Sequence, residues 1–332
     1  VPLHVQRDAT ALPPNTAVCM GAFDGLHRGH RALIERARTH APHVALVTFD
    51  PHPTAVLAPA RMPPLLYAPV QRERVAAALG VSNLVLLPFD TDMSRLAPEV
   101  FVQRFLADGL TPAAVVVGAD FRFGARRAGT AQTLHDQLTA AGTTVDVVDL
   151  LSLEAGKKVS SSDIRRALSN GNVALAGELL GRWHAVAGTV VHGAKRGRAL
   201  GFPTANLEPA GGTIPPKGIY ASVFTVWDPS APEHGSVWPS VTSVGHNPTF
   251  TEQGAPLTVE TYVLDQQLGE RLYGLQVEVS FVKRLRDEMK FDGPESLVQQ
   301  MHRDADQARA TIDAAALAHT LTPSTSIKSV KS

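Results

Sequence analysis

Val18-Cys19-Met20-Gly21-Ala22-Phe23-Asp24-Gly25-Leu26-His27-Arg28-Gly29-His30 decides how the first half of the chain is read. The stretch begins apolar, as a buried strand should. It breaks at Gly21 and Gly25, turns, and runs into Arg31-Ala32-Leu33-Ile34-Glu35-Arg36-Ala37-Arg38, which has helical composition and period. The reading is strand, glycine-rich turn, helix. Amides at a helix N-terminus lack intrahelical partners and the helix dipole is positive there, so the turn suits phosphate. His27 and His30 lie three apart and share a helix face. Two imidazoles beside bound phosphate can donate hydrogen bonds to charge developing at phosphorus. Simple turn capping is the bland alternative. Zinc is a weaker one, because no cysteine cluster or third spaced ligand accompanies the pair.

Apolar runs recur through the first half: Val44–Phe49, Leu84–Leu87, Val115–Val117 and Val145–Val148. Helical stretches separate them, at Val70–Leu79, Pro98–Ala107 and Thr130–Ala141. That alternation predicts a parallel sheet covered on both faces, with ligands at the carboxyl ends of its strands. Three motifs fall at such ends. They are the glycine-rich turn, Asp50-Pro51-His52-Pro53, and Gly118-Ala119-Asp120-Phe121-Arg122-Phe123-Gly124. In the last, Phe121 and Phe123 either pack on a flat ligand ring or belong to the core, and Asp120 can accept a hydrogen bond. Further on, Ser160, Ser161 and Ser162 precede a helical turn that carries Arg165, a second candidate anion site.

Beyond Trp183 the pattern changes to short strand-like runs: Ala185–Val191, Ile219–Val226, Ser240–Val244, Leu257–Leu264 and Leu275–Val282. These predict a small antiparallel barrel. Pro294–Ala318 reads as one long helix, and residues 320–332 as a disordered polar tail. The densest motif of this half runs from Gly193 to Asn206, with Gly193, Gly197 and Gly201 four residues apart. It is not a P-loop, since no Gly-Lys-Ser/Thr ends it. Lys195 and Arg198 supply positive charge, although a solvated basic loop would look the same. Thr204 and Asn206 offer neutral oxygens suited to magnesium shared with substrate phosphates. Glu260 sits among apolar neighbours, where a carboxylate is either structurally paired or suited to proton transfer.

The chain's 332 residues suffice for two domains, and its 44% hydrophobic and 19% charged content is that of an ordinary soluble protein. Lys and Arg number 31, as do Asp and Glu, which argues against a dedicated nucleic-acid binder. The single cysteine, Cys19, fits a small core residue in a reducing compartment. No signal peptide and no membrane-spanning run is expected, and the protein is read as cytoplasmic.

The first stretch resembles the G-x-F-D-G-x-H-x-G-H signature of the nucleotidylyltransferase superfamily, and Ser160–Arg165 resembles its downstream triphosphate motif. The Gly193–Asn206 motif resembles the signature of riboflavin kinase, together with Gly218–Ala221, Gly245–Phe250, Glu260–Asp265 and Arg284–Phe291. In that order they resemble the bacterial bifunctional riboflavin kinase/FAD synthetase family. The resemblance implies a Rossmann-like FMN adenylyltransferase domain over residues 1–182 and a riboflavin kinase barrel over residues 183–319. ATP would phosphorylate riboflavin to FMN, and a second ATP would convert FMN to FAD and pyrophosphate, with Mg2+ in both steps. Gly21, Phe23, Asp24 and Gly25 would border nucleotide; His27 and His30 would stabilise the transition state. Ser160, Ser161, Ser162 and Arg165 would bind pyrophosphate. His52, Pro53, Asp120, Phe123 and Arg286 would border flavin. Gly193, Lys195, Gly197, Arg198 and Gly201 would cradle the kinase nucleotide, Thr204 and Asn206 would hold magnesium, and Glu260 would act as base. Rival readings change the acceptor of the first half, make the chain an aminoacyl-tRNA synthetase, or make it a non-catalytic flavin binder.

Overall fold

A computed structural model describes residues 2–149, 159–193, 197, 200–246, 257–266 and 268–312. The chain forms two compact units. The first comprises Val1–Pro64 and Arg72–Ser160; the second comprises Leu65–Gln71 and Ser161 onward.

The first unit holds a six-stranded sheet. Its strands are β1 (His4–Gln6), β2 (Thr16–Met20), β3 (His43–Asp50), β4 (Asn83–Pro88), β5 (Ala114–Gly118) and β8 (Thr144–Val148). The spatial order is β1-β4-β3-β2-β5-β8, with every pairing parallel. A short hairpin of β6 (Arg122–Phe123) and β7 (Gly129–Thr130) follows β5. Every residue of β2 and β5 is buried, which accounts for their unbroken apolar composition. Helix α1 (Arg28–Ala37) buries Gly29, Leu33, Ile34 and Ala37 along one face. The expected Pro98–Ala107 helix is α-helical over Pro98–Phe101 and continues as a π-helix over Val102–Leu110. Phe101, Phe105, Leu106 and Leu110 pack there against Val18, Val85 and Val115 of the sheet. The chain leaves β2 for β3 on one side and later returns to β5 on the other. The crevice for ligands therefore opens at the carboxyl end of β2, where the glycine-rich turn begins.

The second unit is a closed antiparallel barrel in the order β10-β13-β12-β11-β14-β9. Its strands are β9 (His184–Val191), β10 (Thr204–Pro209), β11 (Gly218–Val226), β12 (Val237–His246), β13 (Leu257–Val263) and β14 (Gln276–Arg286). Six strands close it, one more than the apolar runs indicated. The addition is β10, which begins inside the glycine-rich motif. The interior carries Tyr220 and Phe281 edge to face at 5.2 Å. A ladder of buried hydroxyls runs through it: Ser222 reaches Ser240 at 2.8 Å and Thr242 at 2.7 Å, and Thr242 reaches Thr261 at 2.9 Å. The helix Pro294–Thr311 lies outside, with Ala305 and Ala308 packed on Ala221 and Val223 of β11. The expected continuation of this helix and the polar tail lie outside the described residues.

Candidate active sites

The glycine-rich turn works through its backbone. Phe23, Gly25 and Leu26 all adopt left-handed φ, at 48°, 82° and 42°. Gly25 takes this conformation freely, whereas Phe23 and Leu26 are held in it by complete burial. The turn is tied to β3 at two points: Gly21 N donates to Val47 O at 3.2 Å, and Thr48 Oγ1 donates to Ala22 O at 3.1 Å. His27 is the N-cap of α1, and its carbonyl accepts from Arg31 N at 2.9 Å. The rings of His27 and His30 stack at 3.7 Å and 17°, and Phe23 meets His30 edge-on at 5.1 Å. Gly29 leaves the space that His27 occupies, since a Cβ there would lie 3.2 Å from the imidazole. The same Cβ would lie 3.9 Å from Val159 O, so the chain just before Ser160 passes the first turn of α1. Both histidines, Asp24 and Ser160 are thus gathered in the first unit around one helix N-terminus.

The other residues expected here divide. His52 caps the helix Pro53–Leu57, its Nδ1 accepting from Thr54 N at 3.2 Å. Asp120 is exposed. Phe123 is buried in the core beside Phe101, and Phe121, stacked on it at 5.6 Å, is the ring with free surface. Ser161, Ser162 and Arg165 form the opening turns of the helix Ser161–Ser169 in the second unit. No motif in the sequence singles out Arg72. Burial pushes its guanidinium pKa down, and Asp50, Glu73 and Asp24 lie within electrostatic reach and oppose that shift.

In the barrel, strand register assembles the second site. β10 and β13 pair with Asn206 opposite Glu260 and Thr204 opposite Tyr262. Ser243 of β12 faces Glu260 from the other side. Ala205, Leu207, Val259 and Thr261 are buried, so Thr204, Asn206, Glu260 and Tyr262 occupy the opposite, outward faces of the two strands. Glu260 and Thr204 line a cleft of about 490 Å³ between the barrel and its C-terminal helix, with Ile219, Arg286, Leu297 and Met301 among its walls. Thr204 also borders a second, narrower cleft beside Thr261, Leu272 and Tyr273. Gly193 has no room for a side chain: a Cβ would fall 2.1 Å from Asn206 Nδ2. Gly197 is similarly closed by Phe202 O at 2.3 Å, and Gly201 turns at φ +84°. Lys195 and Arg198 lie outside the described residues. Among those described, no group of three or more His, Cys, Asp or Glu side chains is placed to hold a metal ion. No described helix is long and apolar enough to cross a membrane.

A family model described as FAD synthetase matches residues 9–163, and one described as riboflavin kinase matches residues 180–312. A Listeria monocytogenes protein named bifunctional riboflavin kinase/FMN adenylyltransferase is 35% identical over 89% of this chain and 92% of its own. The Bacillus subtilis protein of that name is 35% identical over 92% and 95%. A solved structure described as a macrolide-efflux protein from Streptococcus pneumoniae superposes with a TM-score of 0.79 at 29% identity, over 93% of this chain and 99% of that one. That description belongs to the other protein; what the two chains share is the fold.

Proposed function

The chain belongs to the bifunctional riboflavin kinase/FMN adenylyltransferase family, and from that premise we propose which residues carry each of its two reactions. The protein is a transferase. Its C-terminal module phosphorylates riboflavin to FMN with ATP, and its N-terminal module adenylylates FMN to FAD. The modules are taken as residues 1–182 and 183–319.

The kinase assignment rests on one observation: Asn206 stands opposite Glu260, and Thr204 borders two clefts at once. Nucleotide in the narrow cleft and riboflavin in the wide one would meet at Thr204. Apolar walls supplied by Ile219, Leu297 and Met301 suit a flat ring. Glu260 takes the proton of the riboflavin 5′-hydroxyl. The freed oxygen attacks the γ-phosphorus, the bond from that phosphorus to the β–γ bridging oxygen breaks, and ADP departs. Thr204 and Asn206 present neutral oxygens side by side, held in place because Gly193 leaves the carboxamide its space. That donor set fits Mg2+ sharing its shell with phosphates, where it would neutralise phosphate charge.

In the first module an ionised FMN phosphate oxygen attacks the α-phosphorus of ATP, and pyrophosphate leaves. No base is required. His27 and His30 donate to the charge developing at the α-phosphate, and the N-terminal amides of α1 share that task. Ser160, beside the first turn of α1, receives the departing pyrophosphate. Phe121 and His52 border the flavin. Both reactions consume ATP, which is consistent with a cytoplasmic setting.

Chromatography after incubation with riboflavin, ATP and magnesium tests the division. Glu260→Gln should stop FMN formation while supplied FMN still becomes FAD. His30→Ala should do the reverse. If both reactions fall together in a folded variant, the assignment is wrong.

A further inference from the structure

We propose that Asp304, on the C-terminal helix, is a positioning residue for the kinase reaction that fixes the Arg286 guanidinium in the wall of the flavin cleft. The inference rests on the placement of riboflavin in that cleft. Leu297, Met301 and Asp304 line it from successive turns of one helix face. Arg286 lines it from the end of β14, opposite Ile219. Asp304 is a carboxylate in the middle of an amphipathic helix, yet it is only 3% exposed. It meets Arg286 in a two-pronged pair, Nε to Oδ1 at 2.9 Å and Nη2 to Oδ2 at 2.7 Å. Gln300 Nε2 donates to the same carboxylate at 3.0 Å, which fixes its rotation. Arg286 Nη1 donates to Asp287 O at 2.9 Å.

These bonds use three N–H groups of the guanidinium and leave one on Nη1 and one on Nη2. A planar fork held along one edge keeps its remaining donors in a fixed direction, whereas an unpaired arginine samples several rotamers. The pair is not what docks the helix. Ala305, Ala308 and Ile312 do that, against Ala221 and Val223. A charge pair buried beside an apolar docking surface, and opening on a cleft, is better explained by the need to aim a donor than by adhesion.

The test is steady-state kinetics of Asp304→Asn, Arg286→Ala and the double variant, with the FMN-to-FAD reaction as internal control. Asp304→Asn should raise the riboflavin KM at least tenfold, leave the ATP KM within twofold and kcat within threefold, and spare FAD formation. The double variant should be no worse than Arg286→Ala, because the aspartate acts through the arginine. An unchanged riboflavin KM in folded Asp304→Asn, or defects that multiply in the double variant, would overturn the proposal. If Asp304→Asn does not fold, Gln300→Leu removes one bond to the same carboxylate and should raise the riboflavin KM about threefold without altering the ATP KM; no change would equally overturn it. Arg286→Ala with an unaltered riboflavin KM would instead remove the flavin from this cleft.

Discussion

Acidification should unlock the barrel unit through one side chain, His184. It is fully buried, and its Nε2 lies 2.7 Å from Thr213 O. A carbonyl only accepts, so Nε2 carries the hydrogen and Nδ1 is the lone-pair end of a neutral ring. Tyr67 stacks parallel to it at 5.9 Å. Burial pushes its pKa down from 6.5 to about 4; the Thr213 bond opposes the shift and the nearby Arg182 charge adds to it. The folded-state pKa is therefore below the unfolded one. The stability tied to the neutral ring is complete above pH 6.5 and is lost as pH falls through 4. At about 1.4 kcal/mol per pKa unit the gap amounts to about 3 kcal/mol, a large share of what a domain has. Urea unfolding at pH 7 and pH 4 reads this directly. The three tryptophans, Trp183, Trp227 and Trp238, all lie in the barrel unit, so fluorescence follows that unit alone. His184→Gln keeps an N–H for Thr213 and does not titrate. The stability difference between wild type and this variant should shift by about 3 kcal/mol in the variant's favour between the two pH values. A difference that stays constant with pH would refute the reasoning, as would an imidazole NMR titration placing the His184 midpoint near 6.5.

Three substitutions probe the close contacts. Gly193→Ala would put a methyl 2.1 Å from Asn206 Nδ2 and drive that carboxamide out of place; FMN formation should fall about a hundredfold while FAD formation from supplied FMN persists. Gly29→Ala would crowd the His27 ring at 3.2 Å, so FAD formation should fall about tenfold with FMN formation intact, in the same chromatographic assay. Ser222→Ala removes a hydroxyl bonded to both Ser240 and Thr242 inside the barrel and should cost about 1–3 kcal/mol in urea unfolding, with little effect on either KM.

The sequence disclosed what is local and concealed what depends on register. Strands β2, β3, β4 and β5 announce themselves because burial on both faces demands continuous apolar runs, and the half-exposed edge strand β8 through its valines alone. β1 does not: His4-Val5-Gln6 pairs only with β4 at the sheet edge, and an edge strand of three residues needs no apolar signature. β14 was expected to end at Val282, where charges begin, but it continues to Arg286 because Arg284 and Arg286 find partners in Asp287 and Asp304. The resemblance implies that Phe123 borders flavin, but its ring is buried in the core against Phe101.

The two candidate sites differ for the same reason. Thirteen consecutive residues hold the glycines and both histidines of the first, so a helix N-terminus and a three-residue spacing were enough to find it. The barrel site brings Asn206 to Glu260 across a strand pair, and nothing in the intervening chain fixes that register. Period two is present in Thr204-Ala205-Asn206-Leu207, but the run is too short and too polar to stand out beside the glycines and basic residues that precede it. Asp304 was hidden most completely. A carboxylate on an amphipathic helix that also carries Glu295 and Asp306 looks solvated, and only the return of β14 to the helix supplies the arginine that lets it be buried. Residues whose roles depend on a distant partner become visible only when the strands that carry the partner are in place.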